Sequence, residues 1–185
     1  MPVTGQRNAV GKPDNSRELV LSRLQDVTDL IAHGQGLTAI LRTALECLHT
    51  GFGYTRSILL LRDARTPRIR ARLWCGDVTQ AQANQLEIDI GVAGDLFAAA
   101  VRRGSDLQIQ NARDPKIAPR LPAYFTSACP RTASFILLPI VSGDSPIACI
   151  LAGRDVPETE AINSEDISLL RAVRGQIILA MKTVR

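Results

Sequence analysis

The segment that most restricts the fold is Phe135-Ile136-Leu137-Leu138-Pro139-Ile140-Val141, followed by Ser142-Gly143-Asp144-Ser145 and then Ile147-Ala148-Cys149-Ile150-Leu151. Two short apolar runs joined by a glycine-containing turn read as a β-hairpin. Neither arm alternates apolar with polar residues, so both faces of both strands must be covered. The rest of the chain has to supply a layer for each face.

One layer is helical. Val20, Leu24, Val27 and Ile31 recur at helical spacing, after a capping-box-like Asn15 and Glu18 and before Gly34. Leu37, Leu41, Ala44, Leu45 and Leu48 share one face of a second helix that Gly51 and Gly53 stop. At the far end, Asn163 or Ser164 caps a last helix carrying Ile167, Leu170, Arg174, Ile177, Met181 and Val184 at near-heptad spacing, with Arg174 interrupting the seam. Between these helices the period shortens. Ser57 to Leu61 is a buried strand. Arg68 to Cys75 alternates strictly, which places Arg68, Arg70, Arg72 and Trp74 on one side. Leu86, Ile88 and Ile90 mark a third strand, and Leu107 to Gln110 a further one. A short helix from Asp95 to Arg103 ends at Gly104. From Asn111 to Thr132, a stretch with Pro115, Pro119, Pro122 and Pro130 is too long and irregular for a simple connection, which marks it as functional or mobile. The predicted fold is α/β of the α+β type. It is a six-stranded antiparallel sheet with the terminal helices on one face and the short helix plus long loop on the other.

Composition removes several classes. Of 185 residues, 45% are hydrophobic, yet the apolar runs stop at about eight residues, far below the roughly twenty of a membrane span. The net charge of +4 comes from scattered arginines, and only 4% of residues are aromatic, which argues against a nucleic-acid surface. Cys47, Cys75, Cys129 and Cys149 show no C-x-x-C spacing, and all but Cys129 sit in apolar segments; a reducing, cytoplasmic setting is expected.

The run Ile88-Asp89-Ile90-Gly91-Val92-Ala93-Gly94-Asp95-Leu96-Phe97, then Gly104, then Ile109-Gln110-Asn111-Ala112-Arg113-Asp114, resembles the middle of GAF domains. Ser134 to Ile140 and its hairpin partner resemble that family's two central strands. Residues 1–14 hold Gly, Pro, Asn and Lys without periodicity and read as a disordered leader; the resemblance spans roughly Ser16 to Val184 and makes 15–185 one GAF domain. Its Asp95 to Arg154 portion is also similar to GAF modules attached to bacterial HD-related output domains. The resemblance implies a small-molecule site between the sheet and the short-helix layer. Val92, Ala93, Asp95 and Phe97 would wall it at the helix start, Asn111 and Ala112 on one side, and Tyr124, Thr132 and Ser134 on another. The helix N-terminus offers unpaired N–H groups there, although Asp95 competes for them as a cap. Cyclic-nucleotide-binding members carry Asn-Lys, then Phe, then Asp-Glu; here those places hold Gly153-Arg154, Ile162 and Glu165-Asp166, which argues against a cyclic nucleotide.

No catalytic or metal site is expected. His33 and His49 sit at helix ends, and Cys47 and His49 fall on different helix faces. Cys129, beside Arg131, is the one thiol placed where a cation could activate it. The sequence therefore predicts a non-enzymatic sensor without a resident cofactor, whose unknown ligand rearranges a homodimer held by the terminal helices. The rival is a dimerisation module whose pocket is filled by Phe97, Tyr124 and Phe125. Nucleic-acid binding through Arg68, Arg70 and Arg72, and a PAS-like fold, are further alternatives.

Overall fold

The computed structural model describes residues 14–183, with side chains from Ser16 onward. The predicted leader therefore lies outside the described residues, except for Asp14, which already belongs to the first helix. The side chain of Asn15, the expected cap, and Val184 lie outside them too. In order, the elements are α1 (Asp14–Ala32), α2 (Leu37–Glu46), a π-helical turn (Cys47–Gly51), β1 (Arg56–Arg62), β2 (Arg68–Gly76), α3 (Gln80–Gln85) and β3 (Glu87–Asp89). There follow α4 (Leu96–Arg103), β4 (Leu107–Ile109), a 3₁₀ turn (Ala118–Arg120), α5 (Ala123–Ala128), β5 (Ser134–Ser142), β6 (Ser145–Arg154) and α6 (Ser164–Thr183).

All pairings are antiparallel, and the strand order is β3-β2-β1-β6-β5-β4. The apolar hairpin supplies β5 and β6 near the centre of the sheet. Ser142 pairs with Ser145 around Gly143, whose φ of 60° suits a residue without Cβ. Side chains of each central strand divide between two cores. Leu138, Ile140 and Ile150 face α1, α2 and α6, where they meet Val20, Val27, Leu45, Leu170 and Ile177. Phe135, Leu137 and Cys149 face α4, α5 and the long loop. Each fully buried aliphatic side chain contributes about 1.5–3 kcal/mol of hydrophobic stabilisation.

Three details depart from the sequence reading. First, the alternation of β2 is broken. The register against β1 shifts between Leu59 and Leu60, so Leu59 faces Leu73 and Leu60 faces Ala71, leaving Arg72 as the extra residue. Trp74 consequently packs with Ile69 and Ala71 on the loop-facing side, while Leu73 and Cys75 turn to the helices. Arg68 and Arg70 do not share a side with Trp74. Second, α6 buries Leu170, Val173, Ile177 and Ala180 rather than the seam through Arg174 and Met181. The Arg174 guanidinium instead donates to Asp106 Oδ1 at 2.5 Å and to the Pro139 carbonyl at 3.3 Å. Asn163 is the cap, accepting from Asp166 N–H at 2.8 Å. Third, two short helices appear where none was read. In α3, Thr79 and Gln82 cap each other reciprocally, at 3.2 and 2.8 Å. In α5, Phe125 and Ala128 are buried.

Among the described residues, no helix is long and apolar enough to cross a membrane.

Candidate functional site

The turn before α4 is held by its own sequence. Asp89 Oδ1 accepts from Gly91 N–H at 2.9 Å, and Gly94 takes a φ of 84° that a side chain would oppose. In the last turn of α4, Arg102 reaches back to the carbonyls of Ile90 and Val92, at 2.5 and 3.0 Å. Asp95 then caps the helix, its Oδ1 accepting from Ala98 N–H at 2.9 Å. The same oxygen accepts from the Tyr124 hydroxyl at 3.1 Å. Burial and, after it, the Asp95 charge raise the Tyr124 pKa, so the phenol stays a donor.

Below this contact the interior is aromatic. Phe97 of α4, Phe125 of α5 and Phe135 of β5 are each at most 2% exposed. Their ring centroids lie 5.1, 5.4 and 4.7 Å apart, and Tyr124 meets the Phe97 ring edge-on at 6.1 Å. These rings occupy the place where the sequence reading put a ligand.

The other predicted site residues divide into two groups. Val92, 48% exposed, and Ala93 lie exposed in the turn before α4. Asn111 closes an Asx turn on Arg113 N–H at 3.0 Å, and Ala112 donates its N–H to the Ala133 carbonyl at 2.7 Å. Thr132 and Ser134 lie at the end of the sheet. Ser134 donates to the Val156 carbonyl at 2.7 Å, and Thr132 accepts from Arg56 at 2.5 Å.

Arg56 was not singled out from the sequence. It is 3% exposed and pairs with Asp155 at 2.6 Å and with Asp77 at 3.7 Å, and Arg131 joins both carboxylates from the surface. Its members are distant in sequence, so no local pattern could have announced them. Burying one guanidinium requires this much compensation.

Cys129 sits in the same neighbourhood, 4% exposed. Burial pushes its thiol up to about 11, with Arg56 opposing only in part, so it is not an activated nucleophile. Burial likewise raises Cys47 to about 12 and raises Cys149. His33 and His49 each bond a backbone carbonyl, those of Asp29 and Tyr54, at 2.7 and 2.6 Å. Among the described residues no group of His, Cys, Asp or Glu could hold a metal.

Two cavities lie away from the rings. One of about 500 Å³ is bounded by Tyr54, Arg154 and the segment 157–163. Another, of about 390 Å³, touches Asn111 beside β4.

An antiparallel sheet between a helical layer and a short-helix layer defines a mixed α/β domain. The profile of the GAF domain family matches residues 36–181, and the chain belongs to that family. No curated protein matches it by sequence. Among solved structures it is similar to the free methionine-R-sulfoxide reductase from Neisseria meningitidis in complex with its substrate, at 16% identity and a TM-score of 0.70, covering 96% of each chain. It is also similar to the phycoerythrobilin-bound GAF domain from a cyanobacterial phytochrome, at 10% identity and a TM-score of 0.70, over 91% of this chain and 97% of that one. The GAF domain of an Acinetobacter phosphoenolpyruvate-protein phosphotransferase follows at 14% identity and a TM-score of 0.65, over 92% and 97%. At these identities the likeness concerns the fold.

Proposed function

We propose that the chain is a cytoplasmic sensory and regulatory module, not an enzyme, that binds a small molecule between the sheet and the loop layer. The observation that carries this reading is the loose closure of an apolar interior. The segment from Asn111 to Thr132 covers an aromatic cluster and is tied to α4 by one side-chain hydrogen bond, Tyr124 to Asp95. A guest that displaced Phe125 would meet Phe97, Phe135 and Leu137, with Asp95 as the polar anchor. The walls hold no cation, so an uncharged or cationic molecule suits them and an anionic nucleotide does not. Occupancy would reach the other layer through β5 and β6, whose opposite faces pack on α6. Leu21 and Leu179, 56% and 47% exposed on the terminal helices, give a homodimer an apolar contact. The raised thiols and the engaged histidines support a regulatory rather than catalytic role. Arg68 and Arg70 are paired with Glu87, which leaves less positive charge for a nucleic acid.

A second reading, an interaction module with no ligand, is favoured by the mutual contact of Phe97, Phe125 and Phe135. Thermal shift against metabolites, with native mass spectrometry of the freshly purified protein, separates the two. A ligand at 100-fold over its Kd adds about 2.7 kcal/mol. A melting point that no compound moves, with no co-purified mass, selects the second reading.

A further inference from the structure

We infer that residues 111–132 form a lid that opens at one end only, pivoting on the Arg56 cluster and releasing at the Tyr124–Asp95 contact. The two ends of the segment are fastened side by side. Ala112 N–H donates to the Ala133 carbonyl at 2.7 Å, and Ala133 N–H donates to the Arg154 carbonyl at 2.7 Å. Arg113 donates to the Arg131 carbonyl at 3.3 Å, which ties the first end to the last. Thr132 is held by buried Arg56, and Arg131 by Asp77 and Asp155. Backbone bonds and a desolvated guanidinium make this end the strong one.

The opposite end is different in kind. Among the described residues, the Tyr124 hydroxyl to Asp95 is the one hydrogen bond that joins the stretch 114–130 to residues outside 111–132. Contacts inside that stretch, such as Asp114 to Lys116 N–H at 2.8 Å and Phe125 N–H to Pro122 at 3.0 Å, travel with it. Apolar packing of Phe125, Ala128 and Cys129, with Ile117, Leu121 and Tyr124 partly buried beside them, is what else keeps the lid shut. Packing is non-directional, and the segment is short of structure of its own, which places it at the low end of local stability. Opening about the fixed end would lift Phe125 from between Phe97 and Phe135 without breaking a sheet hydrogen bond.

This inference concerns the protein without any ligand, so it can fail while the sensor reading stands, and the reverse. Native-state hydrogen exchange on the wild-type chain tests it. Once lifted, α5 has six residues and nothing packed beneath it, so its internal bonds fray. The amides of Phe125, Thr126 and Cys129 should therefore exchange as one group, at least 100-fold faster than those of Ala112 and Ala133. Tyr124→Phe keeps the ring contact and removes the hydroxyl; it should speed the three lid amides about tenfold and leave Ala112 and Ala133 unchanged. Arg131→Ala, which touches only the pivot, should change the lid amides less than twofold. Lid amides that exchange together with Ala112 and Ala133 in the wild type would overturn the proposal. So would an Arg131→Ala effect on the lid larger than that of Tyr124→Phe.

Discussion

Each face of the sheet carries its own apolar core, and the two are closed over by different means. On one side, three helices of ten residues or more lay aliphatic side chains across the strands, and Val20, Ile40, Leu45, Leu170 and Ile177 are at most 2% exposed. On the other, helices of six to eight residues and a long loop lean on a few aromatic rings. Long helices bring many side chains under one cooperative unit. Short ones contribute little propensity and few backbone bonds, and depend on what packs beneath them. The first face therefore suits permanent structure and the second suits change. That contrast is what a ligand-operated module requires.

The largest effect should come from the permanent face. Ile150, at the middle of β6 and 0% exposed, faces the helices. Ile150→Ala removes three buried carbons without a route for collapse and should cost about 3 kcal/mol, lowering Tm by roughly 9 °C. Phe125→Ala deletes a larger side chain and should nevertheless cost less, roughly 1–2 kcal/mol. The reason is a ceiling: once the lid is worth less than the cavity, it lets go, and the loss cannot exceed its own closing free energy. Urea titration reads both quantities. The m-value of Phe125→Ala should fall, because the native state has already exposed part of its surface. A loss above about 4 kcal/mol at unchanged m would make the two faces equivalent.

How much of this contrast was visible in the sequence depends on range. β5 and β6 were legible because their coverage on both faces is written into consecutive residues. The cap at Asp95 and the stop at Gly104 were legible too, since both act within one turn of helix. The Arg72 bulge was not, because it is defined by the partner strand: the residues from Arg68 to Cys75 alternate in sequence, while the shifted pairing breaks that alternation in space. Helix α5 hid among prolines, although Pro122 stands before its first residue and its backbone carbonyl accepts from Phe125 and Thr126. For α3 a signal did exist, in Thr79 and Gln82. Of the predicted site residues, Asp95, Phe97 and Tyr124 gather at the release point and Ala112, Thr132 and Ser134 at the pivot, each group assembled only in three dimensions, while Val92, Ala93 and Asn111 join neither.

Alkaline pH offers a smaller and sharper probe of the same difference. Cys47 lies under the helices and Cys129 belongs to the lid, with folded pKa values raised to about 12 and about 11 from an ordinary 9.0. A raised thiol pKa means the folded state keeps a proton that the unfolded state sheds. The stability this confers is fully present below pH 9 and is lost as pH rises toward the folded value. One pH unit above 9, each thiol accounts for roughly 1 kcal/mol of that loss. Cys47→Ala should therefore soften the fall in stability between pH 8 and pH 10 by about that amount, since its thiol can ionise only on global unfolding. Cys129→Ala should soften it less, because lid opening lets that thiol ionise locally. Melts of both variants across this range decide it, and an equal effect would argue that the lid stays shut.

The smallest effect on folding belongs to the outer side of the permanent face. Leu21 on α1 and Leu179 on α6 are exposed, so replacing either with glutamate breaks no internal packing and should shift the monomer's stability by no more than about 0.5 kcal/mol. Their value lies in what they present to a second chain. If the terminal helices pair two copies, an isologous contact repeats each side chain on both protomers, so one substitution places two charges in one apolar patch. Leu21→Glu and Leu179→Glu should then convert a two-chain species in sedimentation velocity to single chains, with far-UV circular dichroism unchanged. A wild-type protein that sediments as one chain at every concentration would leave the helical face with no partner. Signal transfer from the lid would then have to end inside this domain or at a surface other than the helices.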